Sequence, residues 1–300
     1  MELNSIIFPA PSNERIHNLS KYKDELLFIP KSNNKSGKEE DYIPCMLHEC
    51  RKVSNSNKYM IYFHGNAEDI FNSNYTVDLT RTVLPYNTIS VEYPGYSIYS
   101  EEKSSETIEN DAIIVFDYLV KMGINEKDII ICGRSIGSGP SIYLSSNRKP
   151  GGLILISPFK SIQEVVKSIV GILKYLVLDR FSNIELVDKI TCPTLFIHGQ
   201  KDDIVPFDHS IELSKKCKCP IEIILPEEMD HNEIHIYDDF LEPVTSFLQR
   251  QSLLQLKEEK KIGFEKNVFE IPKKLEDMDS FKKNNNNDSV TKFIRKIFGV

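Results

Sequence analysis

What this 300-residue chain lacks narrows its possible functions. It has no excess of positive charge. Its 37 lysines and arginines stand against 44 aspartates and glutamates, for a net charge of −7, so it offers no electrostatic footprint for nucleic acid. No run approaches the roughly 18–20 apolar residues needed to span a bilayer. The opening "MELNSIIFPAPSNERIHNLS" has no basic segment followed by an apolar core, so no secretory signal is expected. Met1-Glu2 does not begin a myristoylation signal. Six cysteines without such a signal read as reduced thiols, which predicts a cytoplasmic protein. Cys217 and Cys219 make one close pair, but no second pair stands at zinc-site spacing. Neither a metal nor an organic cofactor is expected, and no internal repeat is visible.

What the chain does have is an ordinary apolar fraction of 40%, enough for a sizeable core. Apolar, β-branched runs ("ELLFIP", "YIPCMLH", "YMIYF", "TISVEY", "DIIICG", "GLILI", "TLFIHG", "IEIIL") alternate with helix-compatible stretches near 70–83, 106–122, 138–146, 208–217 and 236–250. Strands interleaved with amphipathic helices predict an α/β domain with a mostly parallel central sheet flanked by helices. The first two strands, with no helix between them, predict an antiparallel lead-in. Near residue 252 the composition turns charged and polar, with an asparagine run. The catalytic domain is therefore expected over 1–252, and 253–300 as a tail unable to offset its own ordering entropy.

The stretch "IIICGRSIGSGPS" (129–141) sets Ser135 between two glycines at the end of a predicted strand. That is the strand–turn–helix context of a nucleophile elbow. A serine hydroxyl is a weak nucleophile and needs a general base, which in turn needs an orienting acid. This type of fold supplies them in the chain order serine, aspartate, histidine. "CPTLFIHGQKDDIVP" places an acid after a late strand, at Asp202 or Asp203, and "EEMDHNEI" places His231 after the next one. Asp202 is preferred because it lies nearer the strand end. His198 reads as a packed, hydrogen-bonded histidine, and His209 and His235 as surface residues. An oxyanion hole requires preorganised N–H donors. The residue after the nucleophile, Ile136, supplies one, and the loop "FHGNAED" supplies Asn66 for the other.

From about residue 20 to 250 the chain resembles the α/β hydrolases, in particular the group around α/β-hydrolase-domain-containing proteins 13 and 17. The resemblance is carried by "FHGNAED", "EYPGYS", "GRSIGSGPSIYLSS", "ISPFKSI", "VDKITCPTLFIHGQKDDIVPF" and "DHNEIHIY". It implies an α/β-hydrolase fold, with Ser135 as nucleophile, His231 as base and Asp202 as orienting acid. It also implies a substrate class, because type-17 members are thioesterases that remove palmitate from cysteines of membrane-associated proteins. An acylated protein or a lipid-like ester is the expected partner. Ser97 and Asp230 depart from the family pattern, each standing where glycine is usual. The first cysteine of this sequence is Cys45, so the cysteine-rich N-terminal anchor of type-17 members is not expected here.

Two segments bear on the substrate. The insertion at about 160–182, "KSIQEVVKSIVGILKYLVLDRF", carries too many apolar positions for one buried face. It reads as a small helical cap lining an acyl groove, or as a crossover helix buried on several sides. At the end of the chain, "VTKFIRKIFGV" sets Val290, Phe293, Ile294, Ile297 and Phe298 at helical spacing among Lys292, Arg295 and Lys296. A basic amphipathic helix of this kind can lie in a membrane interface, so peripheral membrane contact is expected there.

Overall fold

The computed structural model describes residues 19–31, 42–66, 68–170, 180–256 and 260–275. Eight strands form one sheet: β1 (Leu26–Pro30), β2 (Tyr42–His48), β3 (Tyr59–Phe63), β4 (Asn87–Val91), β5 (Ile129–Arg134), β6 (Gly152–Ile156), β7 (Thr194–Ile197) and β8 (Ile221–Ile224), in the order β1-β2-β4-β3-β5-β6-β7-β8. β1 with β2, and β2 with β4, run antiparallel; all remaining neighbours are parallel. This is the α/β-hydrolase fold, and the two leading strands form the antiparallel entry expected from the missing helix between them.

Parallel strands are covered on both faces and so read as continuous apolar runs rather than alternating ones. "YMIYF" and "GLILI" are buried at every position. The helices α1 (Asn74–Val83), α2 (Ser105–Lys121), α3 (Ser138–Asn147), α4 (Ile162–Val170) and α5 (Asp208–Lys216) follow β3, β4, β5, β6 and β7 in turn, and α6 (Glu242–Arg250) follows β8. The Ser104 hydroxyl caps α2 by accepting the Thr107 N–H at 3.4 Å. Its Ile108, Ala112, Val115, Phe116 and Leu119 fall on one helical face and are buried. On this side of the sheet they pack with Ile61, Ile131 and Leu155. On the other side Met60, Ile130, Ile154 and Leu195 meet Val77 of α1 and Val244, Phe247 and Leu248 of α6.

The expected separation at residue 252 does not hold for residues 260–275. Val268 and Leu275 are buried, and Phe264 stacks on Tyr118, with ring centroids 6.2 Å apart. Ile262 N–H donates to Asn57 Oδ1 at 2.8 Å. The segment thus docks on the sheet and α2, because surface there supplies the apolar partners its own sequence lacks. Of the insertion, α4 and the return from Arg180 lie among the described residues, while 171–179 and the amphipathic stretch 290–298 lie outside them.

Candidate active site

The parallel strands β3, β5, β6 and β7 share one orientation, so the loops leaving their C-terminal ends meet at one edge of the sheet, where open α/β sheets place their ligand crevices. At the end of β5 the backbone of Ser135 adopts φ +52°. This left-handed conformation costs a non-glycine residue on the order of 1–3 kcal/mol and needs the surrounding structure to hold it. The flanking glycines make that possible. A Cβ on Gly133 would lie 2.2 Å from Ser141 Oγ, and one on Gly137 would lie 2.2 Å from the Phe63 carbonyl oxygen. β5, its turn and α3 therefore close only with glycine at both places.

Ser135 Oγ lies 3.0 Å from His231 Nε2, and His231 Nδ1 lies 2.7 Å from Asp202 Oδ2. All three residues are buried. The carboxylate can only accept, so Nδ1 carries the imidazole proton and Nε2 is left to accept the serine hydroxyl. Asp202 Oδ1 accepts the N–H groups of Ile204 at 3.1 Å and Val205 at 2.8 Å. Burial pushes the Asp202 carboxyl up, but hydrogen bonds from His198, His231 and the Val205 N–H outweigh it and hold the group well below the usual carboxylate range. Asp203, its neighbour, is exposed. Asp230, which replaces a usual glycine, accepts the N–H groups of Asn232 and Glu233, each at 2.7 Å, and so braces the turn that presents His231.

Asn66 and Ile136 line the same cavity as Ser135. The Asn66 loop is held from beneath. Tyr96 OH donates to Asn66 Oδ1 at 2.8 Å, and Tyr93 OH donates to the His64 carbonyl at 2.7 Å. His64 is fully buried, with Nδ1 at 3.0 Å from the Gly65 carbonyl and Nε2 at 3.2 Å from Glu92 Oε1. Burial works against a charge on His64, but Glu92 more than offsets it and raises the imidazole above its ordinary value. Ser97 has φ +42°, a left-handed position that glycine would hold without a Cβ penalty.

Arg134, the residue before Ser135, carries no role in the motif. Its guanidinium pairs with Glu68 on the Asn66 loop and donates to the His231 carbonyl at 2.7 Å. It thereby ties the loop bearing Asn66 to the loop bearing the histidine. A cation closing an apolar strand was the available signal, since a charge there needs a partner. His209, expected at the surface, is instead buried and accepts the Lys160 N–H at Nδ1, 3.2 Å away. Burial and the Lys160 ammonium push it down to about 4. His235 is exposed, as expected.

A cavity of about 380 Å³ opens over Ser135. Its walls are mostly apolar, with Phe159 on one side, Ile162, Val165 and Val166 from α4, and Ile204 at the rim. In the described part of α4, Val165 and Val166 both pack against the core and line the serine's cavity. Among the described residues no cluster of three or more His, Cys, Asp or Glu side chains is arranged to hold a metal ion. No described helix is long and apolar enough to cross a membrane.

The chain is similar to known proteins in the same region. It is 32% identical to human α/β-hydrolase-domain-containing protein 17B over 212 residues, covering 70% of this chain and 72% of that protein. The chain belongs to this family of α/β hydrolases. Residues 132–236 match the family described as serine hydrolase (FSH1). The α/β-hydrolase-domain-containing protein aho-3 of Caenorhabditis elegans is 29% identical over 203 residues, with 67% of this chain and 60% of that protein covered. Among solved structures, Est1E from Butyrivibrio proteoclasticus superposes with a TM-score of 0.54 at 18% identity, over 76% of this chain and 99% of that one. It shares the fold. This α/β hydrolase is accordingly a serine-type hydrolase, and its matched serine hydrolase region contains Ser135, Asp202 and His231.

Proposed function

We propose that this hydrolase cleaves acyl thioesters and esters through an acyl-enzyme formed on Ser135, and that its substrates are S-acylated proteins. The observation that carries the reading is the apolar cavity opening directly onto the Ser135–His231 hydrogen bond. A fatty acyl chain would fill that cavity, each buried methylene contributing about 0.8 kcal/mol. Its carbonyl would lie at Ser135 Oγ.

His231 Nε2 takes the hydroxyl proton as Oγ attacks the carbonyl carbon. Asp202 stabilises the resulting imidazolium at Nδ1. The N–H groups of Asn66 and Ile136 bind the oxyanion, where one donor is worth roughly 10²–10³ in kcat. His231 then gives its proton to the departing thiol or alcohol, and water activated by the same nitrogen releases the fatty acid. Arg134 keeps the oxyanion loop and the histidine loop in register throughout. Contact of residues 290–298 with anionic membrane belongs to the same reading, since it would bring Ser135 to membrane-bound acyl chains.

An S-palmitoyl peptide, a carboxylester and a lysophospholipid, each offered to the full chain, test the assignment. The account expects the thioester to be turned over fastest. It also expects Val166→Trp, which narrows the cavity, to shift preference toward shorter acyl chains. Faster turnover of the lysophospholipid would identify a lysophospholipase instead. An unchanged chain-length preference in Val166→Trp would take the acyl group out of this cavity.

A further inference from the structure

His198 follows β7 and is fully buried, and its bonds reach the triad. Nε2 lies 2.7 Å from the Val205 carbonyl oxygen and 3.2 Å from Asp202 Oδ2. Nδ1 lies 2.7 Å from Ser210 Oγ on α5. A carbonyl oxygen only accepts, so Nε2 carries a proton, and that N–H is shared between Val205 and Asp202. Asp202 therefore collects imidazole donors from His231 and His198 on Oδ2, and backbone donors from Ile204 and Val205 on Oδ1. The 202–205 loop is gripped from both sides: Val205 gives its N–H to Asp202 and takes the His198 proton on its carbonyl.

We propose that His198 is a positioning residue that fixes Asp202 and tempers its hold on the proton at His231. The inference rests on the reading of Ser135 as nucleophile. Each donor spreads part of the carboxylate's charge. Without the one from His198, more of that charge acts on His231 Nδ1–H, and the imidazolium is held more firmly. The base then stays protonated to higher pH, and the acid limb of the reaction moves up. The other titratable and charged groups facing this cluster are Arg134, which donates to the His231 carbonyl and pairs with Glu68, His209 on α5, kept neutral near pH 7 by burial and Lys160, and half-buried Asp230. All are the same in every variant below, so none accounts for a difference between them. A histidine that merely filled space would affect folding and leave the limb where it was.

The test is the rate of covalent labelling by a fluorophosphonate as a function of pH, on the full chain, normalised to the folded fraction. His198→Leu fills the site without a donor. It should label about tenfold more slowly or worse, the lower end for a hydrogen bond to a charged group, with its acid limb raised by about 0.5–1 unit. His198→Gln can place an amide N–H near the Nε2 position and should return the limb to the wild-type value. His198→Asn, one carbon shorter, should not. If the leucine variant does not fold, the glutamine and asparagine pair decides. Coincident acid limbs in wild type and His198→Leu, or in the two amide variants, would overturn the proposal. A wild-type chain that takes no label would sink the Ser135 reading instead.

Discussion

At Asp202 the carboxylate is buried among N–H donors, while Asp203 beside it faces solvent. The donors keep the Asp202 carboxyl below its ordinary range. The stability this contributes is therefore fully present above the unfolded-state value and lost only as pH falls through the lower folded value, in strong acid. The same environment makes the two aspartates unequal in chemistry. Asp202→Asn should lower kcat by about 10⁴, as a carboxylate-to-amide change does in a serine protease triad, while Asp203→Asn should stay within a few-fold of wild type. Steady-state turnover of both variants at one pH checks this, and a crippled Asp203→Asn would reverse the assignment. Chain order and the ends of apolar strands pointed to Ser135, Asp202 and His231, which the fold brings within hydrogen-bond reach of one another. Arg134 was legible only as a charge, because its partners lie 66 and 97 residues away. His198 was legible only as a core histidine: Asp202 and Val205 follow in the same loop, but the turn that folds them back onto its ring is set by packing against α5.

Among the elements, strands were the easiest to read. The apolar runs of β3, β5 and β6 are bounded by turn residues, and burial on both faces leaves little room for another reading. The segment 260–275 was not legible, since Ile262, Phe264, Val268, Ile271 and Leu275 follow no single period. They dock in two different places. Val268 joins the core beneath α2 and Leu275 joins the cluster around Leu26 and Phe28. Three chain lengths separate the roles of this region. A chain ending at 256 should melt below wild type, at about 2–4 °C per kcal/mol lost for a domain of this size. A chain ending at 275 should keep the wild-type Tm but float less on anionic vesicles, because it lacks the basic amphipathic stretch. An unchanged Tm at 256 would deny the docked segment a stabilising role, and equal flotation of the full chain and the 275 chain would deny the membrane contact.

Across the whole molecule, parallel strands gather distant sequence into one place. Asn66 follows β3, Ser135 follows β5, Asp202 follows β7 and His231 follows β8, and the parallel direction delivers all four to the same edge. This is why their order along the chain could stand for their meeting in space. The cavity above them could not be foreseen in the same way, because its walls come from α4, the Asp202 loop and the histidine loop together. The measurement that tests the central claim most directly is the site of covalent modification by a fluorophosphonate, located by intact mass and peptide mapping. The account predicts one adduct per chain, on Ser135, absent from a Ser135→Ala protein that keeps the wild-type Tm and loses hydrolysis. An adduct on another residue, or undiminished hydrolysis by Ser135→Ala, would contradict it.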